Sequence, residues 1–178
     1  MSLHNVTPGE KAPEEFNVII EIPMNADPIK YEVDEDSGAL FVDRFMATSM
    51  HYPCNYGYIP QTLADDGDPV DVLVMTPVPL IPGVVVTCRP LGVLIMEDEA
   101  GGDSKLLAVP IDRILSIYSQ WKKPEDLNPL RLKTIQHFFE HYKDLEPGKW
   151  VKVKGWEGPD SARAEVRAGM DSWQKTQK

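Results

Sequence analysis

The chain has 178 residues, about the length of one domain. With 42% hydrophobic and 26% charged residues it can bury a sizeable core, which excludes wholesale disorder and fibrous architectures. Its 28 Asp and Glu against 18 Lys and Arg give a formal net charge of -10, which disfavours generic nucleic-acid binding and leaves cation binding or plain solubility.

Residues 1–15 contain no apolar segment of the signal-peptide kind. The apolar stretch 78–86 is cut by Pro79, Pro82 and Gly83, so neither secretion nor a membrane span is expected. Cys54 and Cys88 lie far apart with no C-x-x-C pair and read as buried thiols in a reducing compartment. Sixteen prolines, nearly twice the usual share, separate short apolar runs. Strands are expected at 17–22, 29–34, 39–45, 70–75, 84–88, 92–96 and 106–109, with a later one at 150–154. Residues 51–58, tyrosines interleaved with Pro53 and Gly57, read as loop and short strand. One helix opens at Asn128-Pro129 and runs to about Leu145, with Ile135, Phe138, Phe139 and Tyr142 as its buried stripe. A second spans about 161–175, capped by Asp160 or Ser161, with a weaker stripe of Val166, Met170 and Trp173. Strands first and helices last imply a mainly β fold with α+β content: one domain over 1–178, a small antiparallel sheet or barrel with helices outside. No glycine-rich phosphate loop occurs.

The densest chemical signal is Asp65-Asp66-Gly67-Asp68-Pro69-Val70-Asp71-Val72. A solvated Asp-Gly turn would explain an isolated D-G-D, but Asp71 lies within the strand pattern of Val70, Val72 and Val74, where a charge needs a reason. A calcium EF-hand fails, because starting at Asp66 the sixth position is Asp71 rather than glycine. Magnesium takes one or two carboxylates per ion and completes its shell with waters and phosphate oxygens, which suits separated aspartates. A second acidic stretch, residues 97–103, reads as a polar hairpin tip whose interest lies in pairing with the first. Lys30, Arg44, Lys105 and Lys143 occur singly rather than as a basic patch. His137 and His141 are spaced i, i+4 but lack the H-E-x-x-H pattern of a catalytic zinc; they suit a subunit contact.

The run Asp66-Gly67-Asp68-Pro69-Val70-Asp71-Val72 resembles the signature of the soluble family I inorganic pyrophosphatases. Ile29-Lys30-Tyr31-Glu32, Phe41-Val42-Asp43-Arg44-Phe45, residues 52–58, Asp98-Glu99-Ala100-Gly101 and residues 137–145 extend the likeness over about 17–156. The resemblance implies a closed, OB-like five-stranded barrel with flanking C-terminal helices, hydrolysing pyrophosphate to two orthophosphates with several Mg²⁺ ions. It further implies a cytoplasmic homohexamer without nucleic-acid or membrane partners. It assigns Asp66, Asp71 and Asp103 to a first metal, Asp71 also to a second, and Asp98 and Asp103 to a substrate-borne metal, with Glu21 and Glu32 supporting through waters. Asp68 would be the general base. Lys30, Arg44, Tyr56, Tyr142 and Lys143 would grip phosphates, the first three counting with the catalytic set, and Tyr52 and Lys105 would assist. Residues 111–127 match no motif, and His51 stands where an apolar aromatic is expected. A non-catalytic binding module and a hydrolase of larger phosphate esters are the competing classes.

Overall fold

The structure is a computed structural model that describes residues 3–34 and 37–177. Among these, the strands are β1 (Phe16–Ile22), β2 (Ile29–Val33), β3 (Leu40–Phe45), β4 (Asn55–Tyr58), β5 (Asp71–Val74), β6 (Val85–Asp98), β7 (Gly101–Gly102), β8 (Lys105–Pro110) and β9 (Val151–Glu157). The helices are α1 (Pro129–His141) and α2 (Pro159–Thr176). Five strands close on themselves: β1 pairs with β4, β4 with β5, β5 with β8, β8 with β6, and β6 returns to β1. Every pairing in this ring is antiparallel except β5 with β8. The expected mainly β fold with five closing strands and two late helices is thus observed. Strands β2 and β3 form a separate two-stranded sheet.

The strands carry near-continuous apolar runs because both faces are covered. Leu73, Leu107 and Val109 point into a cluster with Ile135, Phe138 and Phe139 of α1. Val72, Val74, Leu106 and Ala108 point into a second, with Ala162 and Val166 of α2. The buried stripe of α1 matches its sequence periodicity, whereas that of α2 is Ala162, Val166 and Gly169 rather than Val166, Met170 and Trp173. Small side chains bring α2 close: a Cβ on Gly169 would meet Val70 Cγ2 at 2.5 Å.

Most expected strands differ at their ends by a residue or a few, and three larger departures from the sequence reading have identifiable reasons. The strands expected at 84–88 and 92–96 merge into β6 (Val85–Asp98), because Leu91 is accommodated as a bulge between Pro90 and Gly92 instead of ending it. Helix α1 stops at His141, short of Leu145, with Tyr142 as its cap and the chain turning through residues 142–145 ahead of Pro147. Helix α2 starts at Pro159 with Gly158 as its cap, so neither Asp160 nor Ser161 caps it. Both cysteines are free and buried.

Candidate active site

The parallel pairing of β5 with β8 sets the centre of the site. Val72 lies opposite Leu106, so Asp71 and Lys105, one residue earlier on each strand, meet at the same end of the ring. Lys105 forms ion pairs with both Asp71 and Asp103 and is 3% exposed. Burial works against its charge, but Asp71 and Asp103 outweigh that cost and hold its ammonium well above the usual lysine range. Asp103 arrives through the β6–β7 hairpin, its N–H donating to the Met96 carbonyl at 3.0 Å. One carboxylate from each acidic stretch therefore reaches the same lysine.

Glu21 comes from the other side of the ring. Ile20 faces Gly57 and Ile22 faces Tyr56, so Glu21 is the extra residue of a bulge. The strands approach closely here; a Cβ on Gly57 would lie 1.9 Å from the Ile19 carbonyl oxygen. Glu21 Oε1 accepts the Val33 N–H at 2.8 Å. Glu21, Glu32, Asp68 and Asp71 line one cavity of about 290 Å³ together with Val33, Tyr58, Gly67 and Pro69. Burial, reinforced by Asp71 and Glu32, pushes the Glu21 carboxyl up to about 8 despite the Val33 bond and Lys30.

Asp68 occupies a tight turn in which the Gly67 N–H donates to the Ala64 carbonyl at 3.2 Å and the Ala64 N–H to the Asp68 carbonyl at 2.7 Å. Gly67 sits at a φ of 95°, where glycine is favoured. The Asp66 carboxylate accepts the Asp68 N–H at 3.1 Å. This is the Asp-Gly turn that the motif would make in isolation, yet it delivers Asp68 to the cavity. Partial burial, then Asp66 and Asp71, raise the Asp68 carboxyl above the usual range. Asp66 and Asp71 also line a smaller cavity, about 150 Å³, with Asp65 and Glu165.

In the β2–β3 hairpin Lys30 pairs directly with Arg44, while Tyr31 pairs with Val42, leaving Asp43 as a bulge. The bulge puts Arg44 on the same side of the hairpin as Lys30. Asp43 lies 3.6 Å from Lys30 and 3.7 Å from Arg44, offsetting their repulsion, and Lys30 also pairs with Glu32.

Tyr142 and Lys143 follow α1, and Lys143 Nζ donates to Asp98 at 2.7 Å. Burial alone would raise the Asp98 carboxyl; the bonds from Lys143 and the Ala100 N–H prevail and hold it below the usual range. Tyr52 packs on Tyr56 with ring centres 5.3 Å apart and on Phe138 at 4.7 Å, and Phe138 stacks on Tyr142 at 5.3 Å. Burial raises all three phenols, which keeps them protonated and able to donate hydrogen bonds.

The candidate metal ligands supply only hard carboxylate oxygens, the donor set that magnesium prefers. Among the described residues no three Asp, Glu, His or Cys side chains converge closely enough to hold an ion by themselves.

The fold thus gathers Glu21, Glu32, Asp68 and Asp71 around one cavity, joins Asp71 to Asp103 through Lys105, Asp98 to Lys143, and Lys30 to Arg44 through Asp43. The other assigned residues, Asp66, Asp98, Asp103, Lys30, Arg44, Lys105, Tyr52, Tyr56, Tyr142 and Lys143, are not among that cavity's lining. Tyr58 lines it without a sequence assignment, although a strand period of two places it beside Tyr56. Asp43 and Glu146, which contact Arg44, carried no sequence signal for that contact. His51 is exposed, its ring nitrogen 2.8 Å from the Ala26 carbonyl oxygen. In the unmatched stretch 111–127, Tyr118 stacks on Trp121 at 4.3 Å and Arg89 donates to both their carbonyls, a supporting role away from the cavity.

The family model described as "Inorganic pyrophosphatase" matches residues 18–174. The chain is 62% identical over 171 residues to the inorganic pyrophosphatase of Escherichia coli, covering 96% of this chain and 97% of that one. It is 58% identical over 175 residues to that of Pseudomonas aeruginosa, covering 98% and 100%. Among solved structures, the inorganic pyrophosphatase of Thermus thermophilus superposes with a TM-score of 0.91 at 44% identity, covering 98% of this chain and 99% of that one. The inorganic phosphatase of Anaplasma phagocytophilum reaches a TM-score of 0.94 at 48% identity, covering 96% and 99%.

Proposed function

The chain belongs to the soluble inorganic pyrophosphatase family and hydrolyses pyrophosphate to two phosphates, and from that premise we propose how its residues divide the work. The observation that carries the proposal is the convergence of Asp68, Asp71, Glu21 and Glu32 on one cavity beside buried Lys105. Asp66, Asp71, Asp103 and Asp98, supported by Glu21 and Glu32, would hold Mg²⁺. Bound there, Mg²⁺ supplies charge neutralisation for the phosphate oxygens and acidifies a coordinated water.

The chain's own groups do the rest. Asp68, in its glycine turn and with its carboxyl raised above the usual range, takes a proton from the attacking water. Lys30 and Arg44, presented side by side from β2 and β3, neutralise one end of the substrate, the Arg through its forked donors and the Lys as a point charge. Tyr56 and Tyr142, kept protonated by burial, donate hydrogen bonds without adding charge, and Lys143 adds a cation near Asp98. Tyr52 packs against Tyr56 and fixes its ring, while Lys105 balances Asp71 and Asp103.

We further propose a cytoplasmic homohexamer organised as one domain. Two buried free thiols support a reducing compartment. Exposed apolar side chains such as Phe45, Ile81 and Ile117, and the exposed His137 and His141 with ring centres 4.6 Å apart, support contacts between copies.

The test is phosphate release from pyrophosphate, from ATP and from a simple phosphate monoester, each with Mg²⁺ and with EDTA. Fast Mg²⁺-dependent release from pyrophosphate alone is the expected result. Release that persists in EDTA would overturn the metal assignment.

A further inference from the structure

We propose that Glu146 is a positioning residue for Arg44: its carboxylate engages one edge of the guanidinium so that the other edge is aimed at phosphate. The inference rests on the assignment of Arg44 to phosphate binding. Arg44 Nε and Glu146 Oε1 lie 3.8 Å apart, and both atoms are buried with no hydrogen-bond partner among the described residues. A buried donor and a buried charged acceptor left unpaired are each costly. A shift of about 1 Å would turn this ion pair into a hydrogen bond and satisfy both atoms. Among the described residues the other ion pair of Arg44, with Asp43 at 3.7 Å from Nη1, comes from the neighbouring residue on its own strand and cannot anchor the hairpin to the rest of the site.

The position of Glu146 in the chain gives the contact its consequence. Arg44 stands on β3, whose side chains are mostly exposed and whose sheet is separate from the ring. Glu146 belongs to the turn after α1, the turn that carries Tyr142 and Lys143. Its N–H donates to the Lys143 carbonyl at 2.9 Å, and its carbonyl accepts the Lys149 N–H at 3.2 Å. The side chain is 14% exposed, and its second oxygen lies 3.6 Å from Lys149 Nζ. A carboxylate fixed in the turn bearing two phosphate-gripping residues therefore reaches across to another, Arg44. An arginine side chain has much rotamer freedom to lose on gripping an anion, and Glu146 removes part of it beforehand. Because it faces Nε, Glu146 leaves other donors of the fork for the substrate.

Glu146→Ala removes the anchor, and Glu146→Gln keeps its shape and one acceptor while removing the charge. Immobilising one such side chain is worth a factor of about three to ten in binding. KM for pyrophosphate should rise by that factor in Glu146→Ala and by less in Glu146→Gln, with kcat within about two-fold of the parent, the pattern of lost uniform binding. In an Arg44→Ala background, Glu146→Ala should raise KM no further, which a merely structural role in the turn would not produce. The proposal is overturned if Glu146→Ala raises KM equally with and without Arg44, or leaves KM unchanged while Arg44→Ala raises it. If Arg44→Ala itself leaves KM unchanged, the phosphate-binding assignment of Arg44 falls and the role of Glu146 falls with it.

Discussion

Replacing Glu21 by Gln removes a titratable carboxyl that folding has placed among other acids, while leaving the shape of the group intact. Folding moves this carboxyl from 4.5 to about 8, chiefly by burial and then through Asp71 and Glu32. Between those values the folded chain keeps a proton that the unfolded chain has released. The stability this group contributes is therefore fully present below 4.5, falls as pH rises by up to about 1.4 kcal/mol per unit, and is exhausted above about 8, a total of about 5 kcal/mol. Gln does not titrate, and its amide oxygen still accepts the Val33 N–H. In urea melts with EDTA, Glu21→Gln and the parent should match near pH ~4.5 and separate by several kcal/mol at pH ~8.5, the variant being the more stable. On heating, that gap corresponds to a Tm difference on the order of 10 °C. A divalent cation bound nearby favours the ionised carboxylate, so Mg²⁺ should shrink the gap. Stability curves that run parallel for the two proteins from pH ~4.5 to ~8.5 would refute the reasoning.

Asp68→Asn should lower kcat by about 10²–10⁴-fold with Tm little changed, and near-normal turnover in the folded variant would remove Asp68 as the base. Lys105→Met leaves buried Asp103 and partly buried Asp71 without their cation and should cost about 3–5 kcal/mol in EDTA, with much of the loss recovered on adding a divalent cation. Equal losses with and without the cation in urea melts would contradict that. Gly57→Ala drives a Cβ to within 1.9 Å of the Ile19 carbonyl oxygen and should destabilise by more than about 3 kcal/mol; a urea melt within about 1 kcal/mol of the parent would show that β1 and β4 can separate cheaply.

Much of this architecture was legible because its signals are local. Alternation, proline and glycine punctuation, and the stripe of α1 located most strands and both helices, and the acidic run around Asp68 marked the site through its family resemblance. What escaped was set by pairing across the chain. Glu21, which the resemblance names, and Asp43 are bulge residues, and a period of two counted along one strand cannot register an extra residue whose evidence lies in the partner strand. Leu91 misled in the same way, so that one bent strand read as two. The stripe of α2 was misplaced because its buried face depends on Ala162 and Gly169, small residues that a hydrophobicity count undervalues, while Met170 and Trp173 are only partly buried. Glu146 had no local signature, since its partner Arg44 lies about a hundred residues earlier.

The acidic balance of the chain takes a definite form at the site. Lys105 is paired with Asp71 and Asp103, Lys143 with Asp98, Lys30 with Glu32, and Arg44 lies between Asp43 and Glu146. Each cation proposed to grip phosphate is thus already balanced by carboxylate, several of them proposed metal ligands. Pyrophosphate arriving alone would have to displace those carboxylates and leave the most enclosed of them, buried Asp103 and partly buried Asp71, uncompensated, as costly as the loss of Lys105 itself. Arriving with divalent cations, it exchanges partners in both directions: carboxylates turn from lysine to metal as the lysines turn to phosphate, and no buried charge is left alone. On the proposed assignments, an excess of acid at the site makes selective binding of a small polyanion conditional on its counter-ions, and the pairing of each lysine enforces that condition.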